Sequence, residues 1–233
     1  MQAAEAGDLS ESRILAGLPQ AEMGKLQENA KWFTYDDGEQ FFRQGDTGTE
    51  MIFLAEGRAR VLIHAASGQD VAFADIGPGG HFGELSTLDG GSRSASVVAI
   101  QDSFVAVVER DVILRAMAAF PPFALNLLQD CARILRRSNE RVVGLSTKSG
   151  IQRVYDEILR LIEPSPTGDG RWLIPTVPAH KDIAIWSGTT TDTVARAIGQ
   201  LTSLGIVKRR NRTLLILDRR HIEKLANTGI EEL

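Results

Sequence analysis

The sequence predicts an α+β fold: an antiparallel β-roll in the first half, one long helix, and a helical C-terminal part that ends in a hairpin. Three observations carry this. Between Trp32 and Arg110, short apolar stretches alternate with glycine-bearing turns, the pattern of an all-β sandwich or roll. After Pro121-Pro122 the apolar residues switch to helical spacing for about 27 residues. From Lys181 on, two helical stretches flank Ser187-Gly188-Thr189-Thr190 and precede two strand-like runs.

Taken in order, Met1 to about Asp8 reads as a frayed polar end. Ile14, Leu15, Leu18, Met23 and Leu26 lie near helical spacing, with Gly17-Leu18-Pro19 as an interruption. Five strands are expected, at Met51 to Ala55, Ala59 to Ile63, Val71 to Ile76, Ser94 to Ile100 and Ser103 to Val108. Turns fall between them at Gly45, Gly48, Gly57, Gly68, Gly77 to Gly80 and Gly90-Gly91. No βαβ rhythm appears, and Gly77-Pro78-Gly79-Gly80 lacks the order of a dinucleotide site. In the long helix Leu128, Leu135 and Val142 repeat every seven residues, as do Cys131, Ser138 and Leu145. That seam needs a partner, and a second copy is the simplest one. A helix from about Ile151 to Ile162 follows, then the loop Ser165-Pro166-Thr167-Gly168-Asp169-Gly170 and a strand at Trp172-Leu173-Ile174. The C-terminal helices are expected at Lys181–Trp186 and Thr191–Leu204. The chain closes on Ile206 to Arg209 and Thr213 to Leu217 around Arg210-Asn211-Arg212.

Composition excludes several classes. The 233 residues, 43% hydrophobic and 24% charged, are those of an ordinary globular protein with one or two domains. No apolar run approaches the ~20 residues of a membrane span, and residues 1–10 lack the features of a secretory signal. The single cysteine, Cys131, cannot form an intramolecular disulfide, which points to a reducing cytoplasm. It also rules out a Cys-rich zinc or iron–sulfur site within one chain, and no metal is expected. Residues 1–150 carry a net charge of −6 and residues 151–233 a net of +2, so the second half can face nucleic acid. No HExxH, Walker or GxSxG motif occurs, and catalysis is not expected.

Two stretches carry chemistry. The first is Phe82-Gly83-Glu84-Leu85-Ser86, followed by Arg93-Ser94. Backbone N–H groups at a helical start, with an arginine fork, suit a phosphate. A carboxylate beside them makes sense only as an acceptor from neutral hydroxyls, so a ligand with one phosphate and a ribose 2′-OH fits. The alternative is an ion pair between Glu84 and Arg93 that closes a turn, worth about 0–1 kcal/mol if exposed. These residues resemble the phosphate-binding cassette of cyclic-nucleotide-binding domains, and Phe42-Arg43-Gln44-Gly45-Asp46, Met51-Ile52-Phe53-Leu54 and Glu56-Gly57 resemble that domain's early strands. The resemblance implies that Glu84 takes the ribose hydroxyl, Arg93 the cyclic phosphate and Ser94 a phosphate oxygen. Gly83, Leu85 and Ser86 would offer backbone contacts. It also places Ser138 and Asn139 near the purine, although Ser138 could equally bond its own helix carbonyl. Between cAMP and cGMP these residues do not decide.

The second stretch runs from Lys181 to Ile198. Thr190 is placed to cap the second helix, and Asp192 suits its first turn. Ile183, Ala184, Val194, Ile198 and Leu201 would face inward, leaving Thr191, Asp192 and Arg196 where a recognition helix meets base edges. Lys208, Arg209, Arg210 and Arg212 would contact phosphates. This segment, with Gly205-Ile206, resembles the winged helix-turn-helix of the CRP/FNR regulators, which adds Thr190 and Thr193 to the expected DNA contacts. Where relatives of the catabolite activator show Arg-Glu, this chain has Thr191-Asp192. One arginine–guanine contact is therefore missing, and a TGTGA-like half-site is not expected unchanged.

The two resemblances together imply a jelly-roll-like β-roll with an N-terminal helix over residues 1–120, a dimerisation helix over 121–149, and a winged helix-turn-helix over 150–233. They imply a homodimeric transcription regulator in the cytoplasm, bound to a double-stranded DNA operator and to RNA polymerase, without a membrane partner. A cyclic nucleotide would control it. The alternatives are a same-family regulator with another signal, such as haem held by His64 or His81, a ligand-independent dimer, or a nucleotide-regulated subunit that does not bind DNA. His64 and His81 otherwise read as surface or turn histidines.

Overall fold

The computed structural model describes residues 1–64, 70–165 and 171–228. They form two compact units, Met1–Arg136 and Arg137–Leu233. The turn expected at Gly68 and the loop residues 166–170 lie outside the described residues, as does the side chain of His64.

The first unit runs through β1 (Gln2–Ala3), a 3-10 turn (Arg13–Leu15), α1 (Gln20–Glu28), β2 (Ala30–Tyr35), β3 (Gln40–Phe42), β4 (Met51–His64), β5 (Asp70–Ile76), β6 (His81–Phe82), α2 (Glu84–Asp89), β7 (Ser96–Val108), α3 (Arg110–Ala119) and the start of α4 (Pro121–Thr147). Its strands order as β1-β2-β7-β4-β5, with β3 added to β7 and β6 to β4. Every pairing is antiparallel. The run Met51-Ile52-Phe53-Leu54 is buried throughout because both faces of β4 are covered. Period-two alternation sends Met51 and Phe53 to the cluster that holds Ile14, Leu26, Ile113, Phe123 and Leu127. Ile52 and Leu54 go to the interior of the roll with Tyr35, Phe82, Val97 and Val105.

The structure departs from several expectations. The N-terminal stretch is not frayed: β1 pairs with β2 in the register Gln2↔Thr34, and Asp8 accepts hydrogen bonds from Ser10. The strands expected at Met51–Ala55 and Ala59–Ile63 are one strand, β4. Gly57 does not end it. At φ +88°, a Cβ there would collide with the Asp102 carbonyl of β7, so glycine allows the close crossing of a bulge rather than a turn. The two strands expected between Ser94 and Val108 likewise merge into β7, which starts at Ser96. α3 was not anticipated; Ile113 and Ala116, three residues apart, are its buried face.

α4 covers the residues that the spacing indicated. Pro121 suits a first helical turn, where its missing N–H costs nothing. Phe123 and Leu127, four apart, anchor its start in the first unit. The division between the units falls within this helix.

The second unit continues through α5 (Gly150–Leu161), β8 (Glu163–Pro164), β9 (Trp172–Ile174), α6 (His180–Ser187), α7 (Thr191–Ser203), β10 (Val207–Arg210), β11 (Thr213–Ile216) and α8 (Arg219–Thr228). Its sheet orders as β10-β11-β9-β8. Ser149 and Gln152 form a capping box that starts α5. Val154, Tyr155, Ile158, Ile183, Val194, Leu201, Ile206, Leu214, Ile222 and Leu225 share one core. α8, also not anticipated, contributes Ile222, Leu225 and Ala226 at helical spacing behind a polar first turn. Among the described residues, no single helix is long and apolar enough to cross a membrane.

Candidate functional site

In the first unit, β6 delivers the chain to Gly83, which adopts φ +84° and begins α2. A Cβ at this position would collide with Nη1 of Arg93 and stand 3.0 Å from the Glu50 carbonyl. Glycine is required here on both counts. Arg93 is 2% exposed. Its Nη1 donates to Glu50 O at 2.9 Å and to Gly83 O at 3.2 Å, and its guanidinium lies 4.1 Å over the Phe42 ring. Nη2 is 2.9 Å from Glu50 Oε1, close enough for strong attraction but off the angle of a hydrogen bond. Neither Nε nor Nη2 has a hydrogen-bond acceptor among the described residues. A buried guanidinium with two unused donors is costly unless something accepts from them.

Glu84 opens α2 beside this arginine. Burial pushes its carboxyl above the usual range, and Asp130 adds to this, while its own backbone N–H and Arg93 oppose it. The ion pair expected as an alternative between Glu84 and Arg93 is therefore replaced by one between Glu50 and Arg93. Ser94 and Leu85 are exposed, whereas the Ser86 side chain is buried. Two further residues hold the segment. Thr87 Oγ1 donates to Thr49 O at 2.8 Å, and Arg110 Nε donates to Thr87 O at 2.8 Å. The sequence gives no sign of the parts played by Thr49, Glu50 and Arg110, or of the stacking of Arg93 on Phe42, because no local pattern joins Glu50 to a residue 43 positions away.

His81 is no surface histidine. Its side chain is 6% exposed, with Nε2 3.6 Å from Asp130 Oδ2. Burial drives its pKa down to about 4, against the pull of Asp130 and with help from Arg13 and Arg133, so the ring is neutral at ordinary pH. Asp130 pairs instead with Arg133. Burial, with Glu84 and Asp130, also raises the Cys131 thiol, which keeps it protonated and unreactive. Ser138, half-buried, and Asn139, exposed, belong to the second unit.

In the second unit, α6 ends at Gly188 in the left-handed region, φ +61°. Thr190 caps α7: its Oγ1 accepts from Thr193 N at 3.2 Å. Replacing Thr190 with Ala is expected to cost about 1 kcal/mol of stability, read as a lower urea midpoint with an unchanged slope. Thr191, Asp192 and Arg196 are exposed, as are Lys208, Arg209, Arg210 and Arg212. Thr193 is corrected: it is buried, with Oγ1 3.0 Å from Thr190 Oγ1 and accepting from Arg196 Nη2 at 3.4 Å. It serves the cap and does not project with the residues beside it. The hairpin turns at Asn211, φ +53°, a conformation that asparagine tolerates better than most residues.

Known proteins resemble both parts of the chain. Residues 32–120 match the model of the cyclic nucleotide-binding domain, and residues 152–225 match that of the Crp-like helix-turn-helix domain. The chain is 32% identical over 193 residues to the cyclic AMP receptor protein of Thermus thermophilus, covering 82% of this chain and 86% of that one. It is 25% identical over 219 residues to a CRP-like cAMP-activated global transcriptional regulator of Mycobacterium tuberculosis, covering 94% and 98%. A solved structure of a CooA mutant from Carboxydothermus hydrogenoformans superposes with a TM-score of 0.76 at 18% identity, covering 96% and 97% of the two chains. That likeness is one of fold. With both domain models matched in order and one relative above 30% identity across most of its length, the chain belongs to the CRP/FNR family of transcription regulators.

Proposed function

We propose that this regulator is a homodimer whose operator binding is controlled by a cyclic nucleotide held against Arg93 and Glu84. The observation that carries the reading is the buried Arg93 guanidinium, with Nε and Nη2 lacking acceptors among the described residues. A cyclic phosphate supplies two acceptor oxygens in the plane of that fork. Glu84, an acceptor when ionised, suits the ribose hydroxyl. Ser94 and the backbone of Gly83, Leu85 and Ser86 complete the set, and Ser138 and Asn139 would meet the base. The names of the Thermus and Mycobacterium relatives refer to cAMP, which makes cAMP the first nucleotide to try, ahead of cGMP. On the DNA side, Thr191, Asp192 and Arg196 would read base edges, with Thr190 at the helix end, while Lys208, Arg209, Arg210 and Arg212 bind phosphates. RNA polymerase would be the downstream partner, in the cytoplasm.

The test is calorimetric titration of nucleotide-stripped protein with cAMP and with cGMP. Saturable binding of one of them supports the reading; no binding of either at hundreds of micromolar overturns it. The pH profile gives a second arm. The ribose contact needs ionised Glu84, whose pKa burial has raised. Affinity is therefore full above that raised pKa and falls as the pH drops through it, at a higher pH than an exposed glutamate would give. Glu84→Gln is expected to bind more weakly, with a flat profile over the same range. A wild-type profile as flat as the variant's would remove Glu84 from the site.

A further inference from the structure

One side chain joins the end of the long helix to the corner of the helix-turn-helix. α4 stops at Thr147, and the chain turns through Lys148 and Ser149 into α5. Arg153, in the first turns of α5, donates from Nη1 to Lys148 O at 2.7 Å, from Nε to Ser187 O at 2.8 Å and from Nη2 to Gly188 O at 2.8 Å. Ser187 is the last residue of α6, and Gly188 is its C-cap. These carbonyls are ones that a helix end leaves without intrahelical donors, and they carry the negative end of its dipole. A cation belongs there. Two further contacts run between the same elements: Arg141 Nη2 donates to Ile185 O at 3.4 Å, and Leu145 Cδ2 lies where a Cβ on Gly188 would come within 3.0 Å. Lys148 is itself held, with Nζ 2.8 Å from both carboxylate oxygens of Asp156. All of these residues lie in the second unit.

We propose that Arg153 is the positioning residue that couples α4 to the recognition helix α7, so that a displacement of α4 reaches the DNA-reading face undiminished. The inference rests on the reading above, in which the base of the nucleotide meets Ser138 and Asn139 of α4. A planar guanidinium fixes three acceptors in one geometry, which a lysine ammonium cannot do. The fixed corner leads directly into α7. Thr189 N donates to Ala184 O at 2.9 Å, and the next residue, Thr190, caps the helix. No flexible stretch separates the clamp from the residues that would meet DNA.

The test uses the full-length protein, Arg153→Gln and Arg153→Lys. Hydrogen exchange without nucleotide reads the clamp itself. In both variants, peptides over residues 139–149 and 183–190 are expected to exchange about tenfold faster together, while those over 194–201 and 219–226 keep wild-type rates. Operator affinity, on a duplex selected by the wild-type protein from a random pool, reads the coupling. The ratio of affinities with and without saturating cAMP is expected to fall about tenfold in both variants, with cAMP affinity in the absence of DNA unchanged. A merely structural arginine would weaken operator binding equally with and without cAMP, and that result overturns the proposal. So does unchanged exchange in either segment. If wild-type operator binding ignores both nucleotides, the reading of the pocket fails. The exchange arm, which needs no nucleotide, then decides whether the clamp exists.

Discussion

Arg93→Ala is expected to weaken cyclic-nucleotide binding by at least about a hundredfold while leaving the β-roll folded. Each charge-assisted hydrogen bond to a phosphate contributes roughly 1.5–3 kcal/mol, and a factor of ten in affinity is about 1.4 kcal/mol. With Nε and Nη2 both available, two such bonds exceed that hundredfold threshold. The substitution also frees the carbonyls of Glu50 and Gly83 and removes the partner of the Glu50 carboxylate. Some loss of stability therefore accompanies the loss of binding. Arg93→Lys separates the two effects: it keeps a charge beside Glu50 and gives up the fork. Calorimetry with cAMP, beside a thermal melt of each variant, makes the measurement. If a folded Arg93→Ala protein binds within about threefold of the wild type, the phosphate sits elsewhere and the pocket must be reassigned.

Leu135→Glu is expected to turn a dimer into a monomer and to remove most of the operator affinity. Leu128, Leu135 and Val142 recur every seven residues on α4 and are 59%, 62% and 64% exposed in the single chain. Charged neighbours such as Arg136, Arg137 and Glu140 fill the positions between. A second copy would cover this stripe, each buried Leu or Val contributing about 1.5–3 kcal/mol. In a two-fold interface one substitution acts twice and sets two carboxylates against each other across the seam. Two linked half-sites bind about 10²–10⁴ times more tightly than one, and the monomer forfeits that factor. Sedimentation should give the single-chain mass of 25.4 kDa for the variant and twice that for the wild type. A wild-type protein that sediments as one chain would remove the dimer from the mechanism.

The legible parts of this protein were those set by local periodicity and by motifs of fixed spacing. The long helix, α5, α6, α7 and the terminal hairpin follow from apolar spacing, capping residues and turn residues, all short-range in the chain. Thr190 could be named as a cap because its partner is Thr193, three residues on. Gly83, Glu84 and Arg93 could be named because nine to ten positions hold the whole motif. The failures have one cause as well. Gly57 reads as a turn, since only the approach of Asp102 from β7 reveals that it lets one long strand cross another. α3 and α8 are short, ten residues each, and their helical form shows in the core that Ile113, Ile222 and Leu225 enter.

The sequence by itself determined which residue types stand at the two candidate sites: a glycine-led carboxylate, an arginine fork, a capped helix and a basic hairpin. Only the tertiary structure decided how they are held. It paired Arg93 with Glu50 across 43 residues and left Nε and Nη2 without acceptors among the described residues. It buried His81 against Asp130 and raised the Glu84 carboxyl. It turned Thr193 inward and locked three carbonyls onto Arg153. The physical reason is common to all of these. Desolvation and hydrogen-bond satisfaction belong to a place in space, and chain positions far apart in sequence supply each place.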